Sequence, residues 1–351
     1  MNNTNNKEVR LRERKITQAS TDNAINGKSS ATLINDDRAL STWSDYDAFN
    51  DDTKNSVNRY CVGHDDMPEW YNDNSFIRTG YRRITNSYKG CAMSLFYWHN
   101  ESGNVYTHLI GALAIVAVCI AFFASIAPSV ASTDWRDLLV FGCFYCGAVT
   151  CLGLSTTYHL CCCHSQKVLL TWIKADYIGI VALIIGSFIP ALYYGFYCSL
   201  VLKIVYICAI TLLGGVTVAI SLHKRFASPQ YRYFRTFLFA GLGISAVVPL
   251  IHICVSLGFK ASVATFAAWY IIGMGALYLF GAFVYAYRVP ERWLPRVFDL
   301  VGNSHQIWHC LVLAGAAVHY LGLLEMYQWR HDNDPHCLLS TADIVTRFQS
   351  N

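Results

Sequence analysis

The sequence reads NSHQIWHCLVLAGAAVHY from Asn303 to Tyr320, and this stretch places two histidines at the start of a long apolar run. His305 and His309 are four residues apart, so both lie on one face of a helix. Two imidazoles on one face can bind one metal ion and leave room for a third ligand from elsewhere in the chain. The alternative is that both histidines cap or pack the helix, since short motifs are weakly specific.

The composition is that of a membrane protein. Of the 351 residues, 54% are hydrophobic and 14% are charged, which is too apolar for a soluble chain of this length. The net charge of +4 forms no basic stripe, so nucleic acid is not expected as a partner. Seven apolar runs approach the ~20 residues that cross a bilayer. They predict an all-α, seven-transmembrane helical bundle at about 104–127, 136–160, 170–193, 199–222, 236–257, 264–287 and 305–327.

The chain divides into four predicted segments. Residues 1–65 are rich in Asn, Asp, Ser and Thr and predict a disordered cytoplasmic tail without an apolar signal-peptide core. Residues 66–103 predict an ordered juxtamembrane segment in which Met93–Trp98 forms a short interfacial helix. Residues 104–327 form the bundle, and 328–351 an extracytoplasmic C-terminal tail. Most of the fourteen cysteines lie in apolar runs, where thiols pack as small side chains, so no disulfide framework is expected.

Lysine and arginine predict the orientation. Twelve of them lie in or beside the segments on the N-terminal side of the bundle, and five lie on the other side. The excess favours a cytoplasmic N-terminus and an extracytoplasmic C-terminus.

Topology brings five polar residues to one level. Ser155 and His159 end the second helix, Asp176 lies early in the third, and His305 and His309 open the seventh. Even-numbered helices end, and odd-numbered helices begin, on the N-terminal side, so all five fall in the cytoplasmic half. Three imidazoles predict a zinc site with an open fourth position, which is the catalytic pattern. Asp176 would act as a general base or would orient the site.

The motifs resemble those of the progestin and adipoQ receptor family. Asn100–Leu109 reads NESGNVYTHL and is similar to the family's N-E-x-x-N-[IV]-[WY]-[ST]-H motif. Ser155–His159, His164–Ser165 and Asp176–Ile180 are similar to its S-x-x-x-H…H-S…D-Y-x-G-I block, and Ser304–His309 to its S-H-Q-x-x-H block. The family includes adiponectin receptors, bacterial haemolysin III-like proteins and fungal zinc-homeostasis proteins of the Izh type. The resemblance covers about residues 90–327.

The resemblance implies a zinc ion held by His159, His305 and His309, with Ser155 and Asp176 as catalytic residues beside it. One implied function is a zinc-dependent hydrolase that cleaves a lipid amide such as ceramide. The alternative is a signalling receptor with a structural zinc and no catalysis. A third function is regulation of zinc homeostasis through lipid signals. A zinc transporter is least favoured, because a tight three-histidine site would trap the ion.

The expected partners follow from these functions. They are a membrane lipid (ceramide, a fatty acid or a sterol-like ligand) and an extracellular protein ligand. A second copy of the chain, in a homodimer, is a further candidate partner. The expected location is the plasma membrane or an endomembrane such as the endoplasmic reticulum.

Other polar residues have more ordinary expected roles. His108, His252 and His319 are predicted to form hydrogen bonds between helices. The run Cys161–Cys163 is interpreted as boundary packing, with lipidation and metal binding as alternatives. Arg235 is interpreted as a positive-inside anchor, with a lipid carboxylate or headgroup as the alternative partner.

Overall fold

The structure, a computed structural model, describes residues 60–71, 74–223, 225–226 and 229–349. Within these residues, seven helices are long and apolar enough to cross a membrane. The seven are α2 (Ser102–Ser129), α3 (Trp135–Cys161), α4 (Gln166–Gly195), α5 (Leu200–Leu222), α6 (Arg232–Leu257), α8 (Ala268–Tyr287) and α9 (Ser304–Asn333). The predicted fold class is thereby confirmed, and the chain is an integral, multi-pass membrane protein.

Shorter elements lie outside the spans. The short helices are α1 (Tyr88–Met93), α7 (Phe259–Thr265) and α10 (Thr341–Gln349). The antiparallel strands are β1 (Cys61–Val62) and β2 (Tyr81–Arg82). Single 3₁₀ turns occupy His64–Asp66, Glu69–Tyr71, Ser94–Phe96 and Pro229–Tyr231. The predicted tail 1–65 lies outside the described residues except for its last six positions.

The helix that carries the histidine pair begins at a side-chain cap. The Asn303 side chain accepts a hydrogen bond of 3.1 Å from the backbone N–H of Gln306. Such a cap satisfies one of the amides that a helix N-terminus leaves without a partner. The cap residue lies two positions before His305 and α9 begins at Ser304, so the cap determines the register of both histidines.

The last helix is longer than the sequence predicts. It continues to Asn333 instead of ending near 327, because its polar residues are paired inside the bundle. Arg330 forms a buried ion pair with Asp334 at 2.9 Å, and His331 Nε2 lies 3.3 Å from a carboxylate oxygen of Asp137 on α3. Paired charges can be buried where unpaired ones cannot.

Two glycines bring α3 and α4 close together. A Cβ atom at Gly147 would lie 2.5 Å from the carbonyl oxygen of Ala182, and one at Gly186 would lie 2.6 Å from that of Cys143. Small residues at such crossings allow helix backbones to approach within membranes. The close approach places the end of α3, with Ser155 and His159, beside the early part of α4, with Asp176.

The juxtamembrane segment packs against the histidine-bearing end of α3. Arg82 is fully buried and donates to the carbonyl oxygens of His159 at 2.6 Å and Leu160 at 2.9 Å, and to Ser94 Oγ at 2.8 Å. These carbonyls belong to the last turn of α3, where a helix leaves acceptors without intrahelical partners. Arg82 therefore caps the turn that carries His159.

The same segment is tied to the start of α9. The Glu291 carboxylate accepts from Asn74 Nδ2 at 3.0 Å, from the Ser304 amide at 2.8 Å and from the Ser304 hydroxyl. Both histidine-bearing helix ends are thus held by one polar framework.

The interfacial helix lies earlier than predicted. Ser87 caps α1, accepting from the Gly90 amide at 3.3 Å, so the helix occupies 88–93. The expected stretch from Met93 instead forms a 3₁₀ turn that leaves Phe96 81% and Trp98 61% exposed.

A disulfide joins Cys198, just after α4, to Cys337, between α9 and α10. The sequence interpretation did not identify this bond. Neither cysteine lies in a membrane-spanning helix, so the expectation that most cysteines pack inside apolar runs does not apply to them.

Candidate metal centre

Three histidines from two helices meet at one end of the bundle. His159 lies in the last turn of α3, and His305 and His309 lie in the first two turns of α9. One ring nitrogen from each lies within 4.8 Å of the others. The ring centroids are 4.7 to 4.9 Å apart. The structure therefore brings together the three residues that the sequence predicts as metal ligands.

Hydrogen bonds on the far side of two rings determine their tautomers. His159 Nδ1 lies 2.7 Å from Glu101 Oε2, and His309 Nδ1 lies 3.2 Å from the Asn104 carbonyl oxygen. A carbonyl and an ionised carboxylate only accept, so both Nδ1 atoms carry the hydrogen and both Nε2 atoms keep a lone pair. His159 Nε2 is buried and has no hydrogen-bond partner among the described residues. Metal-binding histidines in proteins show this arrangement, and the donor set fits a divalent metal.

Glu101 is a site residue that the sequence interpretation missed. Its Oε2 also accepts from Asn104 Nδ2 at 2.6 Å. Burial by itself would raise the pKa of Glu101, but the hydrogen bonds with His159 and Asn104 outweigh burial and hold that pKa below its ordinary value. Its position in the N-E-x-x-N motif was a signal in the sequence, although nothing there indicated which histidine it contacts.

Ser155 and Asp176 line the same cavity as the three histidines. Ser155 is one helical turn before His159 and is buried at 2% exposure. Asp176, on α4, is close enough to both residues for electrostatic interaction. All five residues predicted for the site thus face one space.

The remaining histidines divide into two groups. His252 bonds to the Tyr206 hydroxyl at 2.9 Å and His319 to the Ser187 carbonyl at 3.0 Å, so both form the predicted hydrogen bonds between helices. The prediction is wrong for His108. Its ring stacks on His309 at a centroid distance of 3.5 Å, and neither ring nitrogen has a hydrogen-bond partner within the described part of the chain. The His108 ring therefore supports the His309 ring by packing flat against it.

The three neighbouring cysteines are buried. Cys161, Cys162 and Cys163 are 6%, 4% and 0% exposed. Cys162 Sγ accepts from Arg82 at 3.1 Å, and Cys163 Sγ lies 3.6 Å from Cys91 Sγ. Their burial favours packing between the juxtamembrane segment and the bundle, which is the simplest of the interpretations from sequence.

A cavity of about 960 Å³ runs from the juxtamembrane segment into the bundle. Its lining is mostly apolar and reaches from Trp70, past the three histidines, to His319 and Phe266. Arg235 also lines it, is 6% exposed and donates to the Phe226 carbonyl at 2.6 Å. A largely apolar cavity with a few polar groups is typical of sites for hydrophobic small molecules.

Comparison with known proteins agrees with this architecture. The family model described as "Haemolysin-III related" matches residues 96–320. The chain is 42% identical over 264 residues to "Adiponectin receptor protein" of Drosophila melanogaster, covering 75% of this chain and 59% of the fly protein. It therefore spans less than two thirds of that relative.

Two further relatives are matched over most of their length. The chain is 36% identical to "ADIPOR-like receptor IZH2" of Saccharomyces cerevisiae, covering 78% of this chain and 86% of the yeast protein. It is 37% identical to "Heptahelical transmembrane protein 1" of Arabidopsis thaliana, covering 79% and 84%. The seven membrane-spanning helices and these matches establish that the chain belongs to the haemolysin-III-related family, the progestin and adipoQ receptor family of heptahelical membrane proteins.

Proposed function

We propose that this chain is a zinc-binding, adiponectin-receptor-like protein that hydrolyses the amide bond of a lipid held in its cavity. One observation carries the proposal. The tautomers of His159 and His309 leave Nε2 lone pairs beside a third histidine, in a cavity that also contains Asp176. Three imidazole donors suit zinc among the common divalent metals. The names of the three relatives given above do not mention an enzyme, so the catalytic part of the proposal rests on the site alone.

His159, His305 and His309 would hold the zinc ion. Zinc held there would supply Lewis acidity and would make water more reactive at neutral pH. Glu101 holds the His159 imidazole in place, and the Asn104 carbonyl and Thr107 hold that of His309, with Thr107 Oγ1 lying 3.3 Å from His309 Nδ1. Such supporting contacts raise ligand basicity and orient the rings.

Asp176 is the residue available for proton transfer. Amide hydrolysis requires one proton to leave the attacking water and one to reach the departing nitrogen. Among the described residues, Asp176 and Glu101 are the two carboxylic acids that line the cavity. Glu101 already accepts from His159 and Asn104. Asp176 is therefore assigned as the general base and Ser155 as its neighbour that positions the reacting amide.

The disulfide supports the proposed orientation. Cys198 and Cys337 lie at the end of the bundle opposite to the three histidines. Disulfides form in oxidising compartments, so that end belongs on the extracytoplasmic side and the histidines face the cytoplasm. The excess of Lys and Arg on the histidine side supports the same arrangement. The plasma membrane and the endoplasmic reticulum both provide this asymmetry.

Release of fatty acid from a defined ceramide by the purified protein tests the activity. We expect turnover that a zinc chelator abolishes and that added zinc restores. Asp176→Asn keeps the size of the side chain and removes the base, so turnover should fall by about 10²–10⁴-fold while the zinc content stays unchanged. If the unchanged protein has no turnover, the hydrolase function is refuted, and equal turnover in the Asn variant excludes Asp176 as the base.

A receptor without catalysis is the second candidate. It is favoured by the names of the fly and yeast relatives, both of which are called receptors. In that case the zinc is structural, and the ligand is an extracellular protein or a lipid in the cavity, bound by a monomer or a homodimer. Asp176→Asn should then leave the ligand response intact.

A further inference from the structure

Two of the buried polar groups that line the cavity lie beyond the three histidines and are not used by the proposed chemistry. His319 and Tyr278 both line it, and His319 is 1% exposed. Neither the Nδ1 atom of His319 nor the Tyr278 hydroxyl has a hydrogen-bond partner among the described residues. Buried polar groups are nearly always hydrogen-bonded, so two such groups without a protein partner in one cavity indicate a polar group of a ligand.

The tautomer of His319 follows from its other nitrogen. His319 Nε2 lies 3.0 Å from the carbonyl oxygen of Ser187 on α4. A carbonyl only accepts, so Nε2 carries the hydrogen. In this apolar environment the ring is neutral, and Nδ1 is therefore an acceptor.

Tyr278, on α8, supplies the complementary group and packs against α9. Its ring packs on Gly315, where a Cβ atom would lie 2.5 Å from the tyrosine Cε1. Gly315 is four residues before His319, so the two positions share a helix face. The Tyr278 hydroxyl can donate as well as accept.

The pair lies at a defined depth. Ten residues of α9 separate His309 from His319, which corresponds to roughly 15 Å along the helix axis. Val312, which is 7% exposed, lines the cavity between them. A lipid anchored at the histidine end would therefore pass an apolar stretch before it reaches the second polar position.

We infer that the cavity binds a lipid whose chain carries a hydroxyl group roughly 15 Å from the end held at the three histidines. The hydroxyl donates to His319 Nδ1 and accepts from the Tyr278 hydroxyl. A hydroxyl is the simplest group that does both, whereas a plain methylene chain leaves both protein groups buried without a partner. The inference rests on the proposed function only in taking the cavity as a lipid site.

Displacement of a fluorescent fatty acid from the purified chain in nanodiscs tests this inference. The competitors are stearic acid and the set of hydroxystearic acids that differ in the position of the hydroxyl. A site built to bond a hydroxyl rejects an analogue that lacks it. We expect one narrow range of mid-chain isomers to bind about tenfold more tightly than stearic acid, with isomers outside that range resembling stearic acid.

Three variants assign the effect to the pair. Tyr278→Phe removes one hydroxyl, and His319→Gln removes Nδ1 while its amide N–H can still donate to the Ser187 carbonyl. Both should abolish the preference for the hydroxylated isomer and leave stearic acid binding nearly unchanged. Tyr145→Phe is the matched control, because the Tyr145 hydroxyl is also buried but is not part of the cavity wall.

Equal affinity of the unchanged protein for stearic acid and for every isomer would overturn the inference, and would leave the lipid cavity intact. So would a preference that persists in both Tyr278→Phe and His319→Gln. Failure of the fluorescent fatty acid to bind at all would overturn the lipid site of the proposed function together with this inference.

Discussion

The contact between Glu101 and His159 allows a quantitative test of the metal centre. In Glu101→Gln the side chain keeps its length and one oxygen but loses its charge. The carboxylate accepts from His159 at 2.7 Å, within the range of charge-assisted hydrogen bonds. A hydrogen bond to a charged group contributes about 1.5–3 kcal/mol and a neutral one about 0.5–1.5 kcal/mol. The midpoints of these two ranges differ by about 1.25 kcal/mol, close to the 1.4 kcal/mol that corresponds to roughly tenfold weaker zinc binding.

Competition for zinc between the metal-free protein and a chelating dye measures this affinity. The expected tenfold loss lies at the lower end of the ~10–100-fold range for residues that support a metal ligand. Glu325→Gln is the matched control, since Glu325 is exposed on α9, far along the helix from the histidines. An unchanged dissociation constant in Glu101→Gln, or an equal change in the control, would refute the role assigned to Glu101.

Three further predictions follow from the spacing, the charge distribution and the packing. Zinc analysis of the purified protein should find about one equivalent per chain, and His159→Ala combined with His305→Ala should remove it; retained zinc would contradict the site. Epitope tags at the two termini should differ in protease accessibility in sealed cells, with the C-terminal tag exposed outside; equal protection would contradict the orientation. Gly186→Ala should lower the free energy of unfolding by about 1–3 kcal/mol, because its Cβ atom would lie 2.6 Å from the Cys143 carbonyl. Gly153→Ala, with nothing within 4 Å of its Cβ atom, should leave the free energy of unfolding nearly unchanged. Thermal denaturation of both variants beside the unchanged protein measures the two effects.

The sequence by itself was sufficient for the architecture. Apolar runs of bilayer length form membrane-spanning helices, because lipid offers no hydrogen-bond partners to backbone amides and a helix satisfies those amides internally. Counting the spans was also enough to bring His159, Asp176 and the His305–His309 pair to one level. The shared helix face of His305 and His309 follows from their spacing alone, since a separation of four residues is a local property of one helix.

Tertiary structure alone decided which groups touch. Glu101 and His159 are 58 residues apart, and Cys198 and Cys337 are 139 apart. No periodic pattern links such positions. The hydrogen bonds that determine the tautomers of His309 and His319 likewise depend on the carbonyl groups that face each ring.

The physical reason is that hydropathy determines the depth of a residue, whereas packing determines the rotation of its helix. Close approach at Gly147 and Gly186 sets how α3 faces α4, and the Asn303 cap sets how α9 begins. Depth placed the candidate ligands at one level of the membrane. Rotation determined that one ring nitrogen from each of the three histidines lies within 4.8 Å of the others, and that Tyr278 and His319 line the same cavity.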